Sequence, residues 1–426
     1  MNRLLLDFGA TSIKSVFQTN GTLINESFFS THSSSVQYGD SFSSDLVVEN
    51  FLKHVIAQYK ICPFSEIWLC SEMHNFTAYE QRKHLFSDFY SWRHVTGKSL
   101  AIKDQINQRY PHLKVDTGQT LHAGMPVLNF SELNGLSNCY RLLTLPELIV
   151  QKLGNLSGKI DISMAASYGC YSLLKEEWEL DLLEKIYPGL QIQLPSIFNL
   201  NEVPFLGDIK LEGKEIGVFG GYGDMQAALL GSSLDHKSVS INLGTGSQVA
   251  EQTMDIHSHD QFFDLKPFFG NFLSAITHIP AGRSLEYLNS KIFKDRDFWV
   301  NLNNITAESV LDFDKEIDFD LNILPNNWRY KENNLYLIKN SKLSTSDMYI
   351  ALLKIFCNQY LDILDIFESD MAGKKIIISG GRLKNIPAVR DIFLGKFTNI
   401  SIVEPETIDE TLLGLNKIST RLNIRV

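Results

Sequence analysis

The chain has 426 residues, of which 44% are hydrophobic and 11% aromatic, and a net charge of −10. A single hydrophobic core rarely grows to this length, so two domains of roughly 200 residues are expected. The acidic balance argues against a nucleic-acid-binding or anionic-membrane-binding surface, because either would require a basic patch.

The cysteines and the N-terminal residues indicate a cellular compartment. Five cysteines form no C-x-x-C pair, which favours a reducing environment over a disulfide framework. The opening Met1-Asn-Arg-Leu-Leu-Leu-Asp7 reaches a charge after three apolar residues, which is not typical of a signal peptide. No apolar run approaches the ~18 residues of a membrane span. We therefore expect a soluble, cytoplasmic protein.

The first element is an apolar strand at Leu4-Leu5-Leu6, which ends in Asp7-Phe-Gly9-Ala10-Thr11-Ser12-Ile13-Lys14. Two further strands around an Asn20-Gly21 turn are predicted to follow. The small and hydroxyl residues of the first turn suit contact with phosphate, and Asp7 could hold a hydrated Mg²⁺. An ordinary tight turn is the alternative that this segment alone leaves open.

A helix over 46–59 is predicted next, followed by a buried strand over 67–70 that runs into Ser71-Glu72-Met73-His74-Asn75. Polar residues at the carboxyl end of a strand suit a site for sugar hydroxyls, although a strand-end histidine more commonly has a structural role. Trp92 could lie against a sugar, or pack in the core. Gly97-Lys98-Ser99 is not a phosphate-binding Walker loop, because Trp92 occupies the position of its first glycine.

Helices predominate in the prediction up to residue 156, including one over 140–153. Four glycines then precede Asp224, which opens an apolar helical run. A helix N-terminus would fix this carboxylate and keep it ionised, either as a proton acceptor or simply as a helix cap. The strand that follows ends in Gly244-Thr245-Gly246, which suits backbone N–H groups wrapped round a phosphate. This pattern repeats the opening of the chain and indicates two related α/β halves.

The second half continues with a helix after Pro280, a loop-rich stretch over 294–345 and a long helix over 346–368. A strand over 374–378 ends in Gly380-Gly381 and Asn385, and the glycine pair would let a base or ribose lie against the backbone. His257 and His259 lack a well-placed third ligand, so a solvated loop is expected there rather than a metal site. A strand over 400–403 and a helix over 410–420 close the chain.

Five of these motifs, in this order along nearly the whole chain, resemble those of the FGGY carbohydrate kinases, within the actin-like, ribonuclease-H-like ATPases. The sedoheptulokinase and xylulokinase side of the family is the most similar. The motifs are Asp7-Phe-Gly-Ala-Thr-Ser-Ile-Lys14, Cys70-Ser-Glu-Met-His-Asn75, Gly223-Asp224-Met-Gln-Ala-Ala-Leu-Leu-Gly231, Asn242-Leu-Gly-Thr-Gly246 and Gly380-Gly381 with Asn385.

The resemblance implies an α/β protein of two ribonuclease-H-like domains with an interdomain cleft. Residues 1–232 would bind the sugar and carry the base, and residues 233–426 would bind the nucleotide. The implied reaction transfers the γ-phosphoryl group of ATP, with Mg²⁺, to a hydroxyl of a small ketose or polyol. The sequence leaves room for a homodimer without requiring one.

The resemblance also assigns roles to individual residues. Asp224 would be the catalytic base and Asp7 the residue that binds Mg²⁺. Nucleotide and phosphate contacts would come from Thr11, Ser12, Lys14, Gly244, Thr245, Gly246, Gly282, Glu286, Gly380, Gly381 and Asn385. Substrate contacts would come from Glu72, Met73, His74, Trp92, Arg93 and Asp224.

Two departures from the family pattern bear on the sugar pocket, and a third lies in the first phosphate turn. Glu72 replaces a glutamine, Arg93-His94 follows Trp92 where relatives commonly offer an aspartate, and Ala10 replaces a hydroxyl residue. The reaction type is therefore better supported than the sugar. One alternative is a nucleotide- and sugar-binding regulator of the same fold that has lost catalysis. Another is an actin-like or heat-shock-type ATPase that is indifferent to sugars.

Overall fold

The structure of the protein is a computed structural model that describes residues 2–9, 11–31, 41–133, 139–244, 246–254, 263–315, 317–318, 320–322, 337–338, 343–367, 374–397, 400–402 and 408–423. Ala10, Thr245, His257 and His259 lie outside the described residues.

The strands of the described chain are β1 (Asn2–Phe8), β2 (Ser12–Thr19), β3 (Thr22–Ser30), β4 (Glu66–Ser71), β5 (Thr77–Glu80), β6 (Leu85–Phe86), β7 (Tyr140–Leu143), β8 (Gly154–Leu156), β9 (Lys159–Ile160), β10 (Tyr171–Ser172), β11 (Glu177–Trp178), β12 (Ile192–Gln193), β13 (Ser196–Ile197), β14 (Phe205–Leu211), β15 (Lys214–Gly223), β16 (Ser238–Leu243), β17 (Ser247–Thr253), β18 (Asp264–Phe268), β19 (Asn271–Ile279), β20 (Ile317–Asp318), β21 (Leu337–Ile338), β22 (Lys375–Gly380) and β23 (Ile400–Ile402).

The α-helices of the same residues are α1 (Ser44–Ile61), α2 (Gly97–Arg109), α3 (Leu113–Thr117), α4 (Pro126–Asn129), α5 (Leu145–Leu153), α6 (Ile162–Ser167), α7 (Leu180–Ile186), α8 (Asp224–Gly231), α9 (Gly282–Leu288), α10 (Phe298–Asn303), α11 (Ala307–Leu311), α12 (Thr345–Ile366), α13 (Pro387–Lys396) and α14 (Glu410–Asn423). None of these helices has the length and apolar content that crossing a membrane requires.

The first sheet has seven strands in the order β3-β2-β1-β4-β15-β14-β8. Strand β4 runs parallel to both β1 and β15, and its last residue, Ser71, pairs with Phe8 on one side and Gly223 on the other. Because the carboxyl ends of parallel strands meet at one edge of a sheet, this register brings Asp7, Glu72 and Asp224 to the same edge.

The second sheet has six strands in the order β18-β19-β17-β16-β22-β23. Strand β16 pairs with β17 antiparallel and with β22 parallel, as β1 pairs with β2 and β4 in the first sheet. Leu243 pairs with Gly380, so the two glycine turns that follow these strands lie side by side. The two sheets therefore share one strand plan, as the repeated sequence pattern predicts.

Each sheet has its own hydrophobic core, and the last helix crosses from the second half to the first sheet. The apolar side of α14 buries Leu412, Leu415 and Ile418 against Leu5 and Trp68. It also packs closely on α8, since a Cβ on Gly231 would lie 1.8 Å from the Glu410 carbonyl oxygen. The boundary at residues 232 and 233 stays a prediction, but the first sheet is covered in part by residues 410–423.

Two local predictions were wrong. Residues 140–143 form strand β7, which pairs with β5 and β12, instead of starting a helix. The helix α5 begins after Thr144, which forms a capping box with Glu147 at the point where the alternating strand pattern ends. The stretch predicted as loops also contains α10 and α11, whose buried side chains Phe298, Leu302 and Val310 join the second core.

Candidate active site

A cavity of about 540 Å³ is lined by residues of both sheets. Ten residues that the sequence assigns to a site lie in its wall: Asp7, Thr11, Ser12, Lys14, Glu72, Met73, His74, Trp92, Asp224 and Gly246. The turn after β1, the carboxyl end of β4 and the start of α8 thus converge on one space.

The other predicted site residues of the described chain lie outside this wall. Gly244, Gly282 and Gly381 gather at the end of β16, where the Gly282 N–H donates to the Gly244 carbonyl at 3.2 Å and the Gly381 N–H donates to that of Leu243 at 3.3 Å. Gly380, with a φ of 103°, packs against the Leu243 backbone. Glu286 and Asn385 are exposed on nearby helical turns. Their assignment to the nucleotide stays a prediction.

Arg93 also lies away from the cavity. It lines a separate pocket of about 20 Å³ that Glu72 borders too, and its guanidinium lies 5.4 Å from the centre of the Phe42 ring. Its positive charge lowers the pKa of Glu72, although burial dominates and raises that pKa to about 8. Arg93 therefore acts on the cavity through Glu72.

Asp224 is the first residue of α8, directly after the glycine-rich end of β15. Gly220 has a φ of 97° and marks a shift in the strand register, so the chain bends before the helix begins. The Met225 N–H donates to the Asp224 carboxylate at 2.8 Å. Burial, reinforced by the charge of Asp7, raises the pKa of Asp224 to about 7. A carboxyl group with this pKa can accept a proton near neutral pH and release it again.

Asp7 belongs to a buried network at the end of β1. Its carboxylate accepts hydrogen bonds from the Thr411 hydroxyl at 3.0 Å and from the Cys70 thiol at 3.6 Å, and it lies 3.6 Å from the Lys14 ammonium. Lys14 also pairs with Asp409 at 2.8 Å. Burial raises the pKa of Asp7 despite the nearby lysine. Burial opposes the ionisation of Lys14, but the carboxylates of Asp7 and Asp409 raise its pKa on balance.

The residues around Asp7 fit a hydrated Mg²⁺ that is shared with phosphate oxygens. No group of three or more histidine, cysteine, aspartate or glutamate side chains is placed to hold a metal among the described residues. Mg²⁺ does not need such a group, because it usually keeps several waters and binds one or two carboxylates together with substrate phosphates. A buried carboxylate that faces the cavity beside the glycine and hydroxyl turn meets this requirement.

No protein-family model matches the chain, and no curated protein does so. Solved structures do match it over nearly its whole length. Gluconate kinase from Lactobacillus acidophilus has a TM-score of 0.79 at 15% identity, covering 99% of this chain and 89% of its own. Xylulose kinase from the same organism has a TM-score of 0.78 at 17% identity, covering 99% and 90%. Glycerol kinase from Plasmodium falciparum has a TM-score of 0.76 at 14% identity, covering 99% and 92%.

The chain has the fold of the FGGY carbohydrate kinases. Its α/β architecture of two actin-like halves is therefore the one that the sequence motifs predict.

On the side of His74 the cavity contains basic and aromatic groups from four chain segments. The His74 Nδ1 lies 2.8 Å from the Ser167 carbonyl oxygen, which can only accept, so Nδ1 carries the proton and a neutral ring leaves Nε2 free to accept. The rings of His74 and His122 lie 4.5 Å apart, and those of His122 and His278 lie 4.6 Å apart. Lys266 lines the same wall.

Sequence reasoning missed several residues of the cavity wall, namely His122, Lys266, His278, Arg283 and Thr411, and also missed Asp409 beside Lys14. None of them lies in one of the five family-like motifs, although Arg283 directly follows Gly282. Thr411 and Asp409 stand at the start of the closing helix, and a pattern of the kind Asp-x-Thr before a helix indicates only a cap.

Proposed function

We propose that the protein is an ATP-dependent carbohydrate kinase that transfers the γ-phosphoryl group of ATP to a hydroxyl of a small ketose or polyol. One observation carries this proposal. A carboxyl group with a pKa of about 7, that of Asp224, shares a cavity with the Asp7–Lys14 network and with His74, Glu72 and Trp92.

Asp224 takes the proton of the acceptor hydroxyl as its oxygen attacks the γ-phosphorus and the bond to the leaving ADP oxygen breaks. Lys14 and the turn residues Thr11 and Ser12 orient and neutralise the phosphates, because phosphoryl transfer depends mainly on positioning and charge stabilisation. Asp7 would hold Mg²⁺, which would further neutralise the charge of the phosphates. His74 and Trp92 hold the acceptor, and closure of the cavity over both substrates limits the hydrolysis of ATP by water.

The kinase neighbours support a carbohydrate acceptor but do not identify it, because their names include gluconate, xylulose and glycerol. The alternative is a nucleotide- and sugar-binding regulator of the same fold. Glu72 favours that alternative, since a carboxyl group with a pKa of about 8 changes the chemistry of the predicted sugar pocket.

The test is ADP release from MgATP over a panel of C4 to C7 ketoses, aldoses, polyols and their acids. A kinase releases ADP only with an acceptor, and Asp224→Asn should lose at least about 100-fold in turnover while nucleotide binding is retained, because general base catalysis contributes ~10²–10⁴-fold. Asp208→Asn is a matched control, because this aspartate lies on β14 outside the cavity wall. Near-normal turnover of Asp224→Asn would reject Asp224 as the base. ATP binding without turnover on any acceptor would favour the regulator.

A further inference from the structure

The side of the cavity around Lys266 presents a buried cation that no carboxylate of the described residues neutralises by contact. The side chain of Lys266 is only 3% exposed, yet it lines the cavity. Its ammonium donates one hydrogen bond, to the neutral Gln119 amide oxygen at 3.2 Å. Within the described chain, no carboxylate oxygen lies within 4.0 Å of its Nζ.

The surroundings hold this ammonium in place without neutralising it. The Gln119 amide group donates to the Ala166 carbonyl at 2.9 Å, which directs its oxygen toward Lys266. The Asp264 carboxylate accepts hydrogen bonds from the Thr120 N–H at 2.9 Å and the Thr277 hydroxyl at 3.2 Å. Asp264 and Asp224 therefore interact with Lys266 electrostatically but without a hydrogen bond. Burial lowers the pKa of Lys266, because a buried ammonium with few hydrogen-bond partners is destabilised in its charged form.

The three histidines beside Lys266 do not supply a counter-charge. Burial lowers the pKa of His74, His122 and His278, and the charge of Lys266 lowers all three further. The rings are therefore neutral at pH 7. The His122 Nε2 is buried and has no hydrogen-bond partner in the described structure. Lys266 and this nitrogen are two buried polar groups that a ligand could satisfy.

We propose that this wall is a carboxylate subsite, so that the acceptor is a sugar acid, a polyol chain that carries a carboxylate at one end. The inference rests on the proposed kinase function and narrows its substrate class. The ammonium of Lys266, which stands beside neutral imidazoles, matches the single charge of a carboxylate. Asp224 interacts electrostatically with both Lys14 and Lys266. An acceptor held by Lys266 at one end thus presents its remaining hydroxyls toward the base.

The decisive comparison uses two ligands of the same shape that differ in charge. Gluconate and gluconamide, and the corresponding pairs from C4 to C6, are titrated into the whole protein by calorimetry with and without MgADP. For at least one chain length the acid should bind about 10-fold or more tightly than its amide, because pairing removes an uncompensated buried charge. Equal binding of acid and amide at every length would overturn the proposal. So would tighter binding of a sugar phosphate than of any sugar acid.

A substitution tests whether Lys266 is responsible for the preference for the acid over its amide. Lys266→Met should abolish the preference for the acid with a loss of about 10²-fold in its affinity. Lys152→Met is the control, because Lys152 is also largely buried but pairs with Asp45 and Ser44 away from the cavity. An unchanged preference in Lys266→Met would contradict the proposal. If that variant does not fold, the comparison of acid and amide in the natural protein still decides.

The outcomes separate the subsite from the kinase function. Phosphorylation of neutral sugars with no binding of any acid would leave the kinase function standing and refute the subsite. Lys266-dependent binding of an acid, without ADP release on any acceptor, would support the subsite and refute the kinase function.

Discussion

The three carboxyl groups of the cavity, those of Asp7, Glu72 and Asp224, share one physical property. Burial raises the pKa of each, to about 8 for Glu72 and about 7 for Asp224. Such shifts concentrate at functional sites, because a buried ionisable group costs folding free energy unless a ligand or partner compensates it. Glu72 has one carboxyl oxygen without a partner in the described structure, which fits a group that meets its partner only when a ligand is bound.

We predict that the turnover of the natural protein rises with pH through about 7, as Asp224 loses its proton. We also predict that the Asp224→Asn variant is more stable than the natural protein at pH 8. The folded pKa lies above the ordinary value of 3.8, so ionisation destabilises the folded state progressively as the pH rises from about 4 to 7. Asparagine avoids this cost. We expect the melting temperature of the variant to exceed that of the natural protein by about 2 °C or more at pH 8, and the difference to vanish near pH 4. Calorimetric melting across this pH range would contradict the prediction if the variant were the less stable protein at pH 8.

At the scale of elements, the end of β15 depends on a backbone conformation that residues other than glycine rarely adopt. Gly220 has a φ of 97°, and a Cβ there would lie 2.6 Å from the Leu69 carbonyl oxygen on the neighbouring strand. Gly221 follows with a φ of 73°. These two glycines form a bulge that shifts the register of the parallel pairing with β4 by one residue before Tyr222 and Gly223 pair again and α8 begins. The position of Asp224 is therefore a consequence of backbone conformation several residues earlier.

We predict that Gly220→Ala destabilises the protein much more than Gly158→Ala does. Both glycines have positive φ, but a Cβ on Gly158 meets nothing within 4 Å, so this control carries only the backbone strain of about 1–2 kcal/mol. The clash at Gly220 should add at least about 2 kcal/mol. Urea unfolding measures the difference in the free energy of unfolding between the two variants. Equal stabilities would contradict the prediction, because they would show that the strand accommodates the added methyl group without loss of stability.

At the scale of the whole molecule, helix α14 near the end of the chain packs against the first sheet near its beginning. The Thr411 hydroxyl donates a hydrogen bond to Asp7, and Asp409 forms an ion pair with Lys14. The apolar side of the helix covers part of the first sheet. The closing helix thus contributes to the candidate active site and to the core of the other half. A division of the chain at residue 232 would remove both contributions.

We predict that residues 1–232 expressed alone aggregate, because the surface that Leu412, Leu415 and Ile418 cover becomes exposed. Residues 1–232 joined by a flexible linker to residues 408–426 should aggregate less than residues 1–232 alone on size-exclusion chromatography, because the linked helix covers the surface beside Leu5 and Trp68. A control with Leu412, Leu415 and Ile418 changed to serine in the linked form should aggregate like the shorter fragment. A monomeric, folded fragment of residues 1–232 would refute this prediction and make residue 232 a true domain boundary.

The sequence by itself determined the fold and most of the cavity wall near Asp7 and Asp224. Glycine turns, hydroxyl residues and a carboxylate after an apolar strand are local signals, because a strand end and its turn are set by neighbouring residues. The tertiary structure alone decided which of the predicted residues meet, the protonation of Glu72 and Asp224, and the presence of Lys266 beside three histidines. Those features depend on burial and on contacts between distant segments, as with Lys14 and Asp409, which lie 395 residues apart. No pattern along the chain records such contacts.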